Sequence, residues 1–405
     1  MKNTHSNFAI LPSIFALSFA VAVAGSAQQP VIPPAKAGFP LVLSNQGNDV
    51  FSQPVAADLG LTPGWKSIIF GLRNGKLYVI QRNANGTWGT APGWPQQLPS
   101  HIAASPSVGD LTGDGIAEIV VGFGSTVQGV PPNSAAGGIR AFRRDGTMLW
   151  DYLTQDVAEG PDGFRDPVVG AAAIGDVDGD GTNEVVFGGL DFNLYVVEGA
   201  TGANQPGWPK FLRDTVFSTP ALYDIDGDSR LDMIVGVDAH AEGPPFNTPD
   251  GGCLHVFRYD ATGTGQPTSA ISEIAGFPKC VDQVIVSSPV VGDIDADGKP
   301  EIVHGTGVFW PNRQQKIYAW NCDGTPVWGT VANPGLAITG QVATTPALAD
   351  LDGNGQLDVI FTATTAGTPT HRLYAVRGDG TNLFTPIQPR DFFGSSLSAG
   401  EPIVA

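Results

Sequence analysis

The sequence predicts an all-β protein, a β-propeller of four-stranded blades, on three observations. Glycine and proline are abundant, at 53 and 33 of 405 residues, and they punctuate short β-branched and aromatic runs with no sustained helical period. An acidic string recurs five times, at spacings of 48 to 69 residues. A short aromatic strand motif follows each copy, so every repeat supplies the same set of strands.

Taken from the start, residues 1–27 read as an export signal. Lys2 lies in a short polar start, an apolar run extends from Phe8 to Ala24, and Gly25-Ser26-Ala27 precede Gln28. The run is at the short limit for a membrane span and contains Pro12, so cleavage near Ala27 is expected, with no membrane span afterwards. Residues 28–37 form a Pro-rich linker, and 38–405 form the propeller. The expected location is secreted, periplasmic or cell-surface. The net charge of −18, from 21 Lys+Arg against 39 Asp+Glu, opposes nucleic-acid and anionic-membrane partners and suits cations. A hydrophobic content of 42% is enough for a packed core.

The five acidic strings are SPSVGDLTGDGIAEIVVG, AAAIGDVDGDGTNEVVFG, TPALYDIDGDSRLDMIVG, SPVVGDIDADGKPEIVHG and TPALADLDGNGQLDVIFT, opening their loops at Asp110, Asp176, Asp224, Asp293 and Asp350. The second motif reads KLYVI from Lys76, GIRAF from Gly138, NLYVV from Asn193, CLHVF from Cys253, KIYAW from Lys316 and RLYAV from Arg372. Turn residues and then an aromatic follow, as in DGT at Asp145, Asp323 and Asp379, and in Trp94, Trp150, Trp208, Phe277 and Trp328. Each unit therefore has a strand before the Asp loop, one after it, the aromatic strand and an outer strand.

A degenerate sixth copy begins at Asp58. Its third, fifth and ninth positions are Gly60, Thr62 and Lys66, so no metal is expected there and Lys66 is expected to supply positive charge. Pro402 stands where a further loop would open just after Ala405, and Gly38-Phe39-Pro40 resembles an outer strand. The expectation is a seven-bladed ring whose last blade is cut short.

The loops carry the chemistry. In the copy at Asp176, oxygen side chains occupy positions 1, 3, 5 and 9 (Asp176, Asp178, Asp180, Glu184) and Gly181 occupies position 6. Calcium is a hard cation that takes about 6–8 oxygens, and a glycine with positive φ lets the backbone wrap it. The corresponding ligands are Asp110, Thr112, Asp114 and Glu118; Asp224, Asp226, Asp228 and Asp232; Asp293, Asp295, Asp297 and Glu301; and Asp350, Asp352, Asn354 and Asp358. About five Ca²⁺ sites are expected, with the loops at Asp176 and Asp293 tightest. Thr112 and Asn354 each remove a charge, and Ser229 replaces the glycine at position 6. An EF-hand needs its acid at position 12 and flanking helices, and here the acid is at position 9 with a strand behind it. Five ordinary Asx turns would not place acids at the same four offsets in every copy.

These strings resemble the FG-GAP and VCBS repeat family, the propeller type also found at the N-terminus of integrin α chains. The resemblance implies calcium in the DxDxDG loops on one face, and adhesion or partner binding on the other. Only fragments such as Phe70-Gly71, Phe123-Gly124 and Phe187-Gly188 remain of the FG pattern, so an integrin-like partner is not implied.

The long connections 125–137, 238–252 and 306–315 are expected on the face opposite the Asp loops. His240, Phe246, Phe309 and Trp310 are the candidate contacts there for a protein or carbohydrate ligand. Cys253 opens one strand and Cys280 closes the next, so a disulfide between them is expected, leaving Cys322 a half-buried thiol at a strand end. No GxSxG, HExxH or phosphate-binding glycine loop is present, and the expected role is non-enzymatic. A propeller-fold polysaccharide lyase and a scaffold for a further domain stand as alternatives.

Overall fold

The protein is described by a computed structural model covering residues 52–125, 135–157, 161–239, 250–259, 273–307, 313, 315–365 and 370–387. All of its regular elements are strands, with no helix among the described residues. Residues 1–27, expected to be an export signal, residues 28–37, Gly38-Phe39-Pro40 and Pro402 lie outside them.

Among the described residues six antiparallel sheets of three or more strands follow one another along the chain, with a separate two-stranded ribbon within the fifth unit. The first contains β1 (Val55–Thr62), β2 (Trp65–Gly71), β3 (Lys76–Arg82), β4 (Trp88–Thr90) and β5 (Gln96–Gln97). The second contains β6 (Ser107–Gly109), β7 (Glu118–Phe123), β8 (Gly138–Phe142) and β9 (Met148–Leu153). The third contains β10 (Ala173–Gly175), β11 (Glu184–Gly188), β12 (Asn193–Glu198) and β13 (Lys210–Phe211). The fourth contains β14 (Ala221–Tyr223), β15 (Asp232–Ala239), β16 (Gly251–Phe257) and β17 (Lys279–Val281).

The fifth sheet has β18 (Val290–Gly292), β19 (Glu301–Gly305) and β20 (Lys316–Asn321), a small ribbon of β21 (Gly329–Thr330) with β22 (Asn333–Pro334), and then β23 (Leu336–Ala337) as outer strand. The sixth has β24 (Ala347–Ala349), β25 (Asp358–Thr365) and β26 (Thr370–Val376), and isolated bridges carry Asn382 and Ile387 onto its outer edge.

The sheets stack face to face around a common centre, as propeller blades do. The short inner strands β6, β10, β14, β18 and β24 lie side by side in that order. Each hydrophobic layer is shared by two consecutive sheets. In β7, Ile119, Val121 and Phe123 pack toward the first sheet, and Val120 packs toward the third. In β19, Ile302 packs toward the fourth sheet and Val303 toward the sixth. Burial on both faces explains why the second and third strands of each blade are continuous apolar runs rather than alternating ones.

Two devices fix neighbouring blades. The indoles of Trp94, Trp150 and Trp328 donate from Nε1 to the carbonyls of Arg144, Gly199 and Gly378 in the next blade, at 3.0, 2.6 and 2.7 Å. Glycine near the end of the second strand admits a branched side chain from the segment entering the next blade: a Cβ on Gly188 would lie 2.2 Å from Val216, and one on Gly305 2.3 Å from Val342. This is the physical content of the glycine that closes four of the five acidic strings.

Cys253 and Cys280 face each other across β16 and β17 with Cα atoms 4.0 Å apart, and they form a disulfide. Cys322, just beyond β20, is half-buried, and its thiol donates to the Pro300 carbonyl.

Candidate metal centre

Each acidic loop joins the inner strand of a blade to its second strand, so all five emerge at the same end of the stack. One set of contacts recurs. The first Asp turns back on its own loop and accepts backbone N–H groups from positions 4 and 6. Asp176 accepts from Gly179 at 2.7 Å and Gly181 at 3.0 Å, and Asp110, Asp224 and Asp350 do likewise. The residue at position 5 accepts from the N–H of position 7: Asp114 from Ile116, Asp180 from Thr182, Asp228 from Arg230, Asp297 from Lys299 and Asn354 from Gln356. These amides hold the Asp110 carboxyl below the ordinary carboxylate range, the Gly115 N–H contributing most.

The ninth-position acid begins the second strand and is buried. One of its oxygens accepts the N–H of position 2, in the pairs Glu118–Leu111, Glu184–Val177, Asp232–Ile225, Glu301–Ile294 and Asp358–Leu351, all at 2.8 or 2.9 Å. In two of the loops the other oxygen is left over. Asp232 Oδ1 and Glu301 Oε1 are buried with no hydrogen-bond partner, as are Asp293 Oδ1 and the Thr112 hydroxyl. Burial, reinforced by the neighbouring carboxylates, pushes Glu184, Asp232 and Glu301 up to about 7.

In four loops three carboxylates converge, with oxygens within 4.8 Å of one another: Asp176, Asp178 and Glu184; Asp224, Asp226 and Asp232; Asp293, Asp295 and Asp297; and Asp350, Asp352 and Asp358. Asp180 and Asp228 stand outside these groups. Asp180 also accepts the Thr182 hydroxyl. Among the described residues, Asp110, Asp114 and Glu118 form no such group.

The donor set is all oxygen, dense in negative charge and includes buried oxygens with nothing to accept. That chemistry fits a hard divalent cation, and a multidentate oxygen cage fits calcium better than magnesium. The first, third and ninth positions would hold the ion in the loops at Asp176, Asp224 and Asp350, and the first, third and fifth would hold it in the loop at Asp293, beside the buried charge of Glu301. When bound, the cation supplies the charge that lets these carboxylates share one buried turn.

Two backbone features escaped the sequence reading. Position 4 is left-handed in every loop, with φ near +75° at Gly113, Gly179, Gly227 and Gly353, and Ala296 adopts it at +62°. Ser229 takes the left-handed conformation at position 6, at +72°. Non-glycine residues there carry strain that a closed loop must offset.

At Asp58 no such loop forms. β1 continues to Thr62 and a tight turn pairs Thr62 with Trp65. Lys66 is exposed on β2; Arg144 reaches this segment, its Nη1 donating to the Leu59 carbonyl at 3.4 Å, and the Arg82 guanidinium lies over Trp65. Arg377-Gly378-Asp379 is buried at Gly378, where a Cβ would meet the Ile294 carbonyl at 1.9 Å, so the tripeptide is part of a blade contact. His240, Phe246, Phe309 and Trp310 lie outside the described residues.

Stacked four-stranded blades with acidic loops at one end define a β-propeller with candidate cation sites. Residues 224–304 match the FG-GAP-like repeat family, a span that opens on Asp224, closes on His304 and contains two complete Asp loops. No curated protein matches the chain by sequence. Among solved structures, the chain is similar to the C-terminal domain of Pseudomonas aeruginosa PilY1, at 12% identity, 78% coverage of this chain, 79% of that one and a TM-score of 0.49. It is also similar to BamB from Moraxella catarrhalis (15% identity, 83% and 82% coverage, TM-score 0.43). A third is the exotype rhamnogalacturonan lyase YesX (14% identity, 86% and 59% coverage, TM-score 0.49). At such identities none of them assigns this chain a substrate or partner.

Proposed function

We propose that the protein is an exported, calcium-loaded β-propeller that acts as a binding module for a protein or carbohydrate. The observation supporting the metal is the set of buried carboxylate oxygens without partners, at Asp232, Asp293 and Glu301, beside acids gathered in the same turns. An unpaired buried carboxylate costs several kcal/mol or takes up a proton, and a bound cation removes that cost. Calcium is thus a structural ligand that braces the inner hairpin of the blades that carry a converging acidic loop.

Equilibrium dialysis with calcium and thermal unfolding with and without chelator test this. Bound calcium and a chelator-sensitive Tm are expected; no bound calcium and an unchanged Tm would overturn it. The sequence supports a ligand surface on the face opposite the loops, with His240, Phe246, Phe309 and Trp310 as the candidate contacts. A glycan array and protein pull-down identify the ligand class, and Trp310→Ala is expected to lose that binding while keeping calcium. The export step predicts a mature N-terminus at Gln28, checked by mass spectrometry of the secreted chain.

A further inference from the structure

Two of the acidic loops already hold a cation that belongs to the chain. Arg258 pairs with Asp226 through Nη2, and its Nε lies 3.6 Å from Asp228. Arg377 lies against Asp352, with Nη2 and Nε at 3.1 and 3.3 Å from Oδ2. Both arginines come from one place in the blade. The strand register that pairs Met233 with Phe257 and Val359 with Val376 puts Arg258 opposite Asp232 and Arg377 opposite Asp358, the ninth-position acids.

In the loops at Asp176 and Asp293 that place is filled differently. Glu184 is paired with Glu198, and Glu301 with Asn321. Among the four loops where three acids converge, the two without the arginine carry the longer Glu at position 9, and the two with it carry Asp. Glu198 adds a carboxylate near the site, held by Gln205, which donates to both Glu198 and Glu184 at 3.2 and 3.3 Å. Arg230 lies across Gly179 of the Asp176 loop, but makes no ion pair with that loop's acids among the described residues. At Asp110, where three acids do not converge, the place is Arg143.

We infer that the residue opposite the ninth-position acid sorts the loops into two classes. Asp176 and Asp293 head calcium loops, and Asp224 and Asp350 head loops neutralised by the tethered guanidiniums of Arg258 and Arg377. This rests on the proposed calcium binding and adds which loops take the ion. A guanidinium stays charged at all accessible pH values and presents a fork suited to carboxylate oxygens. Calcium must displace it and then sit beside a positive charge. Both arginines are partly exposed, so the competition is finite and lowers calcium affinity by about tenfold.

Calcium titration of the full chain by calorimetry tests the sorting. The wild type is expected to show two tight sites and a weaker class. Arg258→Gln with Arg377→Gln is expected to move two further sites into the tight class, and to lower Tm in chelator, where the loops have lost the guanidinium paired with their acids. Glu198→Arg is expected to remove one tight site. A wild-type isotherm with one class of four or five equal sites overturns the sorting and leaves calcium binding standing, as does a double variant that titrates like the wild type. Absence of calcium binding in every form overturns both.

Discussion

The first and third blades close the same hairpin in two ways. In the first, β1 and β2 meet at Thr62 and Trp65 across a short turn, and Asp58 accepts the Gly60 N–H at 2.8 Å. In the third, β10 stops at Gly175 and residues 176–183 leave the sheet before β11 begins at Glu184. Both hairpins keep antiparallel pairing, and both blades share apolar layers with the second blade. A blade of this protein therefore forms without an acidic loop. Crowding and burying carboxylates is a cost that the fold alone does not require, so the loops need another explanation, and the cation proposed above would supply it.

The strongest way to break that contrast is to remove the metal. Extracellular-type calcium sites with Kd of about 0.1–1 mM each add roughly 0.4–1.4 kcal/mol at millimolar calcium. Several sites add several kcal/mol, so chelator is expected to lower Tm by about 5–10 °C. Differential scanning calorimetry with and without EDTA measures it. Proteolysis in EDTA is expected to cut first at the loops of Asp176 and Asp293 and to spare the turn between β1 and β2.

The next test separates the two blade types by substitution. Glu301→Gln keeps the shape and an acceptor for the Ile294 N–H but removes the charge. In calcium it is expected to cost about 1–3 kcal/mol, and in chelator to be neutral or stabilising, because a buried unpaired charge has gone. Lys66→Ala, at the matching position of the first blade, is expected to change stability by less than about 0.5 kcal/mol in either condition, since its side chain is exposed. Urea titrations of both variants in calcium and in EDTA give the four values.

A third test isolates the strand core behind a loop from the loop itself. His304 in β19 is fully buried and stacks on Tyr318; its Nε2 accepts from the Trp320 indole at 3.0 Å, which leaves Nδ1–H for the Gly305 carbonyl at 3.1 Å. Lys279 lies over the Trp320 ring and Lys316 over the Tyr318 ring. Burial holds His304 down to about 4. The native state keeps it neutral while the unfolded chain titrates near 6.5, so its contribution is complete above about pH 6.5 and is lost as pH falls toward 4. The loss reaches about 3 kcal/mol. His304→Gln is expected to be less stable than the wild type at neutral pH, with the gap closing by about 2 kcal/mol near pH 4.5. Taking the difference at each pH in chelator cancels the loops.

Much of this was legible in the sequence because it repeats. Five copies aligned the acids, and the aromatic strings placed the second and third strands. Cys253 and Cys280 were readable as partners because they open and close neighbouring strands. What did not show was anything that depends on register. Arg258 and Arg377 are distant in sequence from Asp226 and Asp352, and only strand pairing sets them beside the loops. The glycine at position 4 looked like turn composition until its φ was known. The candidate ligand contacts, Trp310 among them, fall outside the described residues and remain expectations of the sequence.

The smallest expected effect concerns those backbone positions. Ala296 and Ser229 hold left-handed conformations at +62° and +72°, where the other loops use glycine. The conformation costs a residue with a Cβ about 1 kcal/mol or more, and glycine returns part of that through the greater freedom of the unfolded chain. Ala296→Gly and Ser229→Gly are each expected to stabilise by about 0.5 kcal/mol in urea titrations. Gly60, also left-handed at +63°, lies in the blade with no acidic loop, and a Cβ there would meet Arg144 Nη1 at 2.9 Å. Gly60→Ala is therefore expected to destabilise by about 1 kcal/mol whether or not calcium is present. The loop variants differ: Ala296→Gly should also restore the Asp293 Oδ1 bond to the position 4 N–H that the other loops make. If so, its gain in chelator exceeds its gain in calcium, because the oxygen that now lacks a partner is the one the metal would otherwise hold.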